Sequence, residues 1–220
     1  MKSRAKKDIA IIMSISLLFT AVYLIGGDAI MNYGRNLSNP LLLRFIPVLF
    51  IQFGMSCLGI LIVLIRNKET LSDHGLVKRN VLFSVIGCLA VSIPTVIFLG
   101  LSDNIHGFLP FQGMFLTDDI LKYAFPLNIL GYLVIALVWG LGEGLFYVVL
   151  ADKINTLKKP AKLWNPGAFF CAMIAIAIHG MIGYDMIPTF ILMYGSLVIR
   201  EKTGNAWGNI LIFFVIWNAL

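Results

Sequence analysis

Charge is what this chain has least of: of 220 residues 13% are charged, and only 11 are acidic. That excludes an ordinary soluble domain, in which about a quarter of the residues carry charge. Histidine and cysteine are equally scarce, at three each. Cys57, Cys88 and Cys171 all lie inside apolar runs, at no metal-ligand spacing and with no partners in loops. This argues against a disulfide framework, and the three read as small hydrophobes. No internal repeat, low-complexity tract or shift of composition divides the chain, so residues 1–220 read as a single membrane domain. The opening MKSRAKK precedes an apolar run with no small-residue cleavage site after it. That run exceeds the length of a signal-peptide core, so it is expected to stay as a helix.

What is abundant is apolar surface, at 59% hydrophobic residues with a mean hydropathy of +0.90. Crossing the hydrocarbon takes about 20 residues of helix. Apolar runs lie at about 9–25, 45–65, 81–101, 124–150, 167–184, 187–199 and 206 to the end. The expected fold is all-α, a polytopic membrane helical bundle of about six to eight transmembrane helices with the lipid bilayer as its first partner.

The net charge of +6 raises the question of nucleic acid, and its distribution removes it. Fourteen of the 17 basic residues fall in four segments, at 2–7, 66–79, 153–162 and 200–202, and the remaining Arg35, Arg44 and Lys122 are assigned to the other loops. With the spans above, the four segments share one side of the membrane, the pattern of cytoplasmic loops. The basicity is therefore topological and no nucleic-acid partner is implied. The amino terminus is expected in the cytoplasm of a prokaryotic cell, and the loop with Asp103, His106, Asp118 and Asp119 outside.

Ionisable groups at membrane depth are costly and usually face a cavity or a partner. Two stand out: Glu143 in WGLGEGLFYVVL and His179 in FFCAMIAIAIHGMIGYD. Asn218 in the last run is the third polar group at depth. His74 and His106 read as solvated loop residues. At four-residue spacing Trp139, Glu143 and Tyr147 share one helix face, as do Ala175 with His179 and Phe214 with Asn218. At 1.5 Å per residue His179 and Asn218 lie about 20 Å deep, and Glu143 matches them if its helix continues through ADKINT. The alternative is that the three are separate helix-packing contacts of the kind Asn and His make between membrane helices. Gly140, Gly142 and Gly144 fit both readings.

The closing stretch YGSLVIREKTGNAWGNILIFFVIWNAL resembles the end of the CPBP intramembrane protease family, which includes the CAAX-prenyl endopeptidases and bacterial Abi proteins linked to bacteriocin self-immunity. The resemblance covers about residues 124–220. In that family a glutamate pair in E-E-x-x-x-R activates water, histidines in F-x-x-x-H and H-x-x-x-N complete the site, and the Asn helps hold the oxyanion, a general base joined to donors aimed at developing charge. Here the first motif reads GEGLFY, with Glu143 in the second acidic position, Gly142 in the first and Tyr147 in that of the arginine. Taking Glu143 as the first glutamate instead still supplies no arginine. The second motif keeps His179 behind Ala175, and the third keeps Asn218 behind Phe214. The resemblance thus implies Glu143, His179 and Asn218 as the remnant of a catalytic site.

A catalytic zinc usually takes three protein ligands, and Glu143 and His179 supply at most two, so no tightly held zinc and no cofactor are expected. The leading expectation is a CPBP-type protein with a degraded peptidase centre that engages a peptide, a prenylated protein or a partner membrane protein. A working endopeptidase using Glu143 and His179 is one alternative. A small transporter or channel subunit is another, to which glycine-interrupted helices and an intramembrane carboxylate also point.

Overall fold

The computed structural model describes residues 2–102, 110–111, 115–161, 164–180 and 186–217. Every regular element among them is helical. We number them α1 (Lys2–Arg35), α2 (Leu41–Asn67), α3 (Val81–Leu101), α4 (Phe115–Leu121), α5 (Leu127–Leu157), α6 (Pro166–Gly180), α7 (Met186–Thr203) and α8, which runs from Trp207–Ile212 into a wide π turn at Phe213–Trp217. Among the described residues α1, α2, α3 and α5 are long and apolar enough to cross a membrane. The chain is a helical membrane protein.

Helix α5 is the axis of the fold. Its apolar window is 72% buried, against 11% in α1 and 22% in α3. Residues 142–151 are buried without a break, which a helix apolar on all sides requires. Around it, α1 packs on α2 and α5, α6 lies between α5 and α7, and α3 backs α7 and α8. The outer helices bury narrow stripes: Asp8, Ile12 and Ser16 on α1, and Ser84, Cys88, Ser92, Thr95 and Leu99 on α3. Their other faces expose large apolar side chains such as Leu17, Leu18, Ile25, Phe83 and Ile97, the composition lipid calls for.

The described part of each apolar run is mainly helical, with three differences from the expected boundaries. Helix α1 extends well beyond residues 9–25 at both ends, because Lys2–Lys7 and Asp28–Arg35 continue the same winding. Asp118 and Asp119, expected in a loop, lie on the short helix α4, while residues 103 and 106 of that loop are outside the described residues. Arg44, also assigned to a loop, is inside α2 and only 2% exposed. Its Nε donates to the Gly34 carbonyl at 2.7 Å and its Nη2 pairs with Asp119, so the guanidinium fastens the far end of α1 to α2 and α4.

The cysteines are free, with Cys88 and Cys171 buried and Cys57 half-buried. The thiols of Cys88 and Cys171 lie over the carbonyls of Ser196 and Tyr147 at 3.9 and 3.5 Å, as small residues packed on a neighbouring backbone.

Candidate functional site

Polar chemistry is concentrated in two places, one at the middle of α5 and one at the end of the bundle. The first is built from three π turns, at Phe53–Leu58 in α2, Ala136–Gly142 in α5 and Phe213–Trp217 in α8, the turns of α2 and α8 each packing against that of α5. A π turn bonds i to i+5 and recurs at functional positions inside otherwise regular helices. Glu143 follows the α5 turn directly and is 8% exposed. The glycines around it admit the neighbours. A Cβ on Gly142 would overlap the Cys57 sulfur, one on Gly140 would lie 2.7 Å from the Phe214 ring, and one on Gly144 would touch Ile210 and Phe213 at 3.3 and 3.4 Å. Tyr147 stacks on Phe213 with centroids 5.5 Å apart, and Phe214 meets Phe111 edge-on at 5.8 Å.

Glu143 and Tyr147 lie four residues apart in the regular winding Glu143–Leu157 and share one face, with Trp139 four residues back in the π turn. Trp139 belongs to a core with Phe45, Phe111 and Ile135, whereas Tyr147 belongs to the main core with Leu150, Cys171 and Phe213. Helix α5 does continue through ADKINT to Leu157, placing Glu143 about 21 Å from its end at 1.5 Å per residue.

Helices α5 and α6 are antiparallel neighbours in a readable register. Gly167 lies against the Ala151 backbone and donates its N–H to Asn155 at 2.8 Å, and Cys171 faces Tyr147. Continuing that register sets residue 175 level with Glu143 and the backbone of residue 179 about one turn, ~6 Å, beyond. The π turn of α8 contacts that of α5. The His179 side chain and all of Asn218 lie outside the described residues.

The second place was not anticipated. His74, read as a solvated loop residue, is 4% exposed. It ends a 3-10 turn, Leu71–His74, whose start is fixed by a capping box between Thr70 and Asp73. Its Nδ1 lies 2.9 Å from Asp152 and its Nε2 3.1 Å from Glu69. Asp152 also takes both terminal nitrogens of Arg200. Lys153 donates to both Glu69 oxygens at 2.6 Å and reaches Asp8 at 3.1 Å. Asp8 in turn holds Arg66 and accepts from Asn67 at 2.9 Å. One continuous network thus ties the start of α1, the end of α2, the end of α5 and the end of α7.

Its electrostatics follow from that geometry. Burial raises the Glu69 carboxyl, but hydrogen bonds from Lys153 and His74 and the charges of both more than offset it, so its pKa lies below the ordinary value. Asp73, fully exposed, is lowered by the Thr70 backbone N–H and hydroxyl. An open cleft of about 640 Å³ leads to the network, with Glu69, His74, Asp152, Lys153 and Arg200 on its walls. Glu69 and Asp152 occupy opposite nitrogens of the His74 ring, so the ring separates them and the three cannot converge on one ion. Among the described residues no group of three His, Cys, Asp or Glu is placed to hold a metal.

The stretch REKTGNAW joins this network to the loop after His74. Arg200 binds Asp152, and Glu201 accepts from Asn155 at 3.3 Å. Gly204 turns the chain at φ +65°, a left-handed conformation in which a side chain would be strained. Asn205, fully buried, donates to the carbonyls of Val77 and Arg79 at 2.7 and 2.8 Å and accepts from the Trp207 N–H at 2.9 Å, opening α8. Ala206 N–H adds a bond to the Gly75 carbonyl at 2.8 Å.

The sequence signal for this network was available. Each basic segment carries its own acid, Asp8, Glu69, Asp152 or Glu201, beside the end of an apolar helix, and a positive-inside count passes over acids. No known protein family, characterised protein or solved structure matches the chain.

Proposed function

We propose that this chain is a CPBP-type membrane protein that binds a peptide, a prenylated tail or a partner membrane protein without hydrolysing it, its peptidase-like centre being closed by packing. The observation that carries the reading is the fit at Gly142, where a Cβ would overlap the Cys57 sulfur. The family's first glutamate has no room there unless Cys57 moves. Its arginine position is occupied by Tyr147, 1% exposed and stacked on Phe213, and its histidine position by Phe214 against Gly140. The supports of a general base are thus replaced by apolar contacts, while Glu143 is kept. We further propose that α6, α7 and α8 add crossings to the four long helices, for seven in all, within the expected six to eight, and that the protein sits in a prokaryotic plasma membrane with its amino terminus in the cytoplasm.

The test is cleavage and capture in nanodiscs. Wild type and Glu143→Gln are expected to cleave a farnesylated C-a-a-X peptide equally slowly, while a photoreactive version of that peptide crosslinks to α2, α5 or α8 near the π turns. Wild-type cleavage that disappears in Glu143→Gln would establish a working endopeptidase instead. Lack of both cleavage and crosslinking to the prenyl peptide would leave a membrane-protein partner, recovered by crosslinking in native membranes, as the reading to be met or abandoned.

A further inference from the structure

The charged end of the bundle sorts its charges by depth. Asp8, Glu69 and Asp152 are turned inward and are taken by Arg66, Lys153 and Arg200. Among the described residues that leaves ten exposed basic side chains: four at the start of α1, three in the connection at 68–79, two after α5 and one at the end of α7. None of the ten makes an ion pair among the described residues. The exposed acids of this end are Asp73 and Glu201, the first of which is held by Thr70.

The ten lie at one end of the bundle. The network from Asp8 through Lys153 to Arg200 holds the helix ends beside one another, and each cation lies within two turns of the end of an apolar helix. Trp164 and Trp207, each 42% exposed, start α6 and α8 at the same end, as tryptophans do where a helix leaves the hydrocarbon for the headgroups. A set of cations without acidic partners, of which Arg4 is hydrogen-bonded to Asn67 at 2.9 Å, is complementary to a surface of anionic phosphodiesters, and the attraction falls off within a Debye length.

We propose that this collar is a binding surface for anionic phospholipid headgroups of the adjoining leaflet, selecting them over zwitterionic ones around the protein. The internal ion-pair network makes that selection by consuming the acids that would otherwise neutralise the collar. This inference rests on membrane insertion alone and is independent of the peptidase-like reading.

The experiment places the protein in phosphatidylcholine bilayers with trace spin-labelled phosphatidylglycerol or phosphatidylcholine and measures their relative association with the protein by electron spin resonance. At about 20 mM salt phosphatidylglycerol should be favoured about threefold or more, and the ratio should approach one at about 500 mM. The variant carrying Lys6→Gln, Lys7→Gln, Lys158→Gln and Lys159→Gln, all exposed and outside the network, should lose more than half of the preference. Lys122→Gln, at the other end, should keep it. A ratio near one at low salt overturns the proposal on the wild type alone. So does a preference that survives high salt, one unchanged in the fourfold variant, or one equally reduced by Lys122→Gln.

Discussion

The end network and the Glu143 junction surround their ionisable groups with different neighbours. At the end of the bundle four helix ends bring acids and bases together, and nearly every polar atom is hydrogen-bonded, Arg200 Nε being an exception. At the junction Glu143 directly follows the π turn of α5, on which the π turns of α2 and α8 pack, and none of the residues of those turns is charged. Mutual neutralisation allows burial at the end, and it gives rigidity at the cost of chemistry, since nearly every polar group is committed to a partner. In the middle, close glycine contacts and aromatic packing surround Glu143. There the neighbours of the adjoining glycines are the Cys57 sulfur, the Phe214 ring, Ile210 and Phe213.

If the end network acts as one structural unit, breaking its most shared member has the largest effect. Asp152 serves His74 and both terminal nitrogens of Arg200 at once. Removing one partner of a buried pair leaves the other charge uncompensated, at about 3–5 kcal/mol. Asp152→Ala is therefore expected to lower the unfolding midpoint in detergent more than any single substitution at the junction. Asp152→Ala together with Arg200→Met should recover part of the loss, because the orphaned charge is then gone. Equal loss in the single and double variants would show that the network acts through packing.

At the junction the expected effect is smaller and of a different origin. Gly142→Ala inserts a methyl group where the Cys57 sulfur already lies. Overpacking of this kind costs about 1–3 kcal/mol. The pair Gly142→Ala with Cys57→Ala should be more stable than Gly142→Ala alone, a coupling that a double-mutant cycle reads directly. The same cycle bears on the proposed function. If Gly142→Glu with Tyr147→Arg and Phe214→His restores cleavage, it should do so better when Cys57→Ala is also present. Restoration indifferent to Cys57 would mean that steric closure is not what distinguishes this centre.

The two regions were not equally legible in the sequence. The helices were, because runs of about 20 apolar residues have one stable form in lipid, every backbone group being satisfied within the segment. Even the extension of α5 to Leu157 was foreseeable from ADKINT, which holds no helix breaker. The π turns were not, since their wide winding accompanies contacts between distant glycines and rings, Gly140 with Phe214 and Gly142 with Cys57, that no local pattern encodes. His74 was misread for the same reason. Its neighbours Ser72, Asp73 and Gly75 describe a loop correctly, but its burial depends on Glu69 and Asp152 arriving from either side. REKTGNAW stood out as a unit, and its residues do ion-pairing, turning and capping work, which requires no catalytic meaning.

The smallest effect separates the two regions by pH, and it falls on Glu69. Its pKa lies below the ordinary value despite burial, because Lys153 and His74 hydrogen-bond to the ionised form. In the unfolded chain a glutamate titrates near ~4.3. The folded state therefore binds protons more weakly there, and the stabilisation Glu69 contributes is complete above that pH. It is lost as the pH falls through the lower, folded value. Unfolding midpoints measured from about pH 7 down to about pH 3 should thus decline more steeply below ~4.3 in the wild type than in Glu69→Gln, which has no proton to gain. Glu69→Gln should also start lower at neutral pH, where it forgoes a charge-assisted bond to Lys153. Identical slopes in the two proteins would place the acid sensitivity in other carboxylates and remove Glu69 from the group that locks the helix ends.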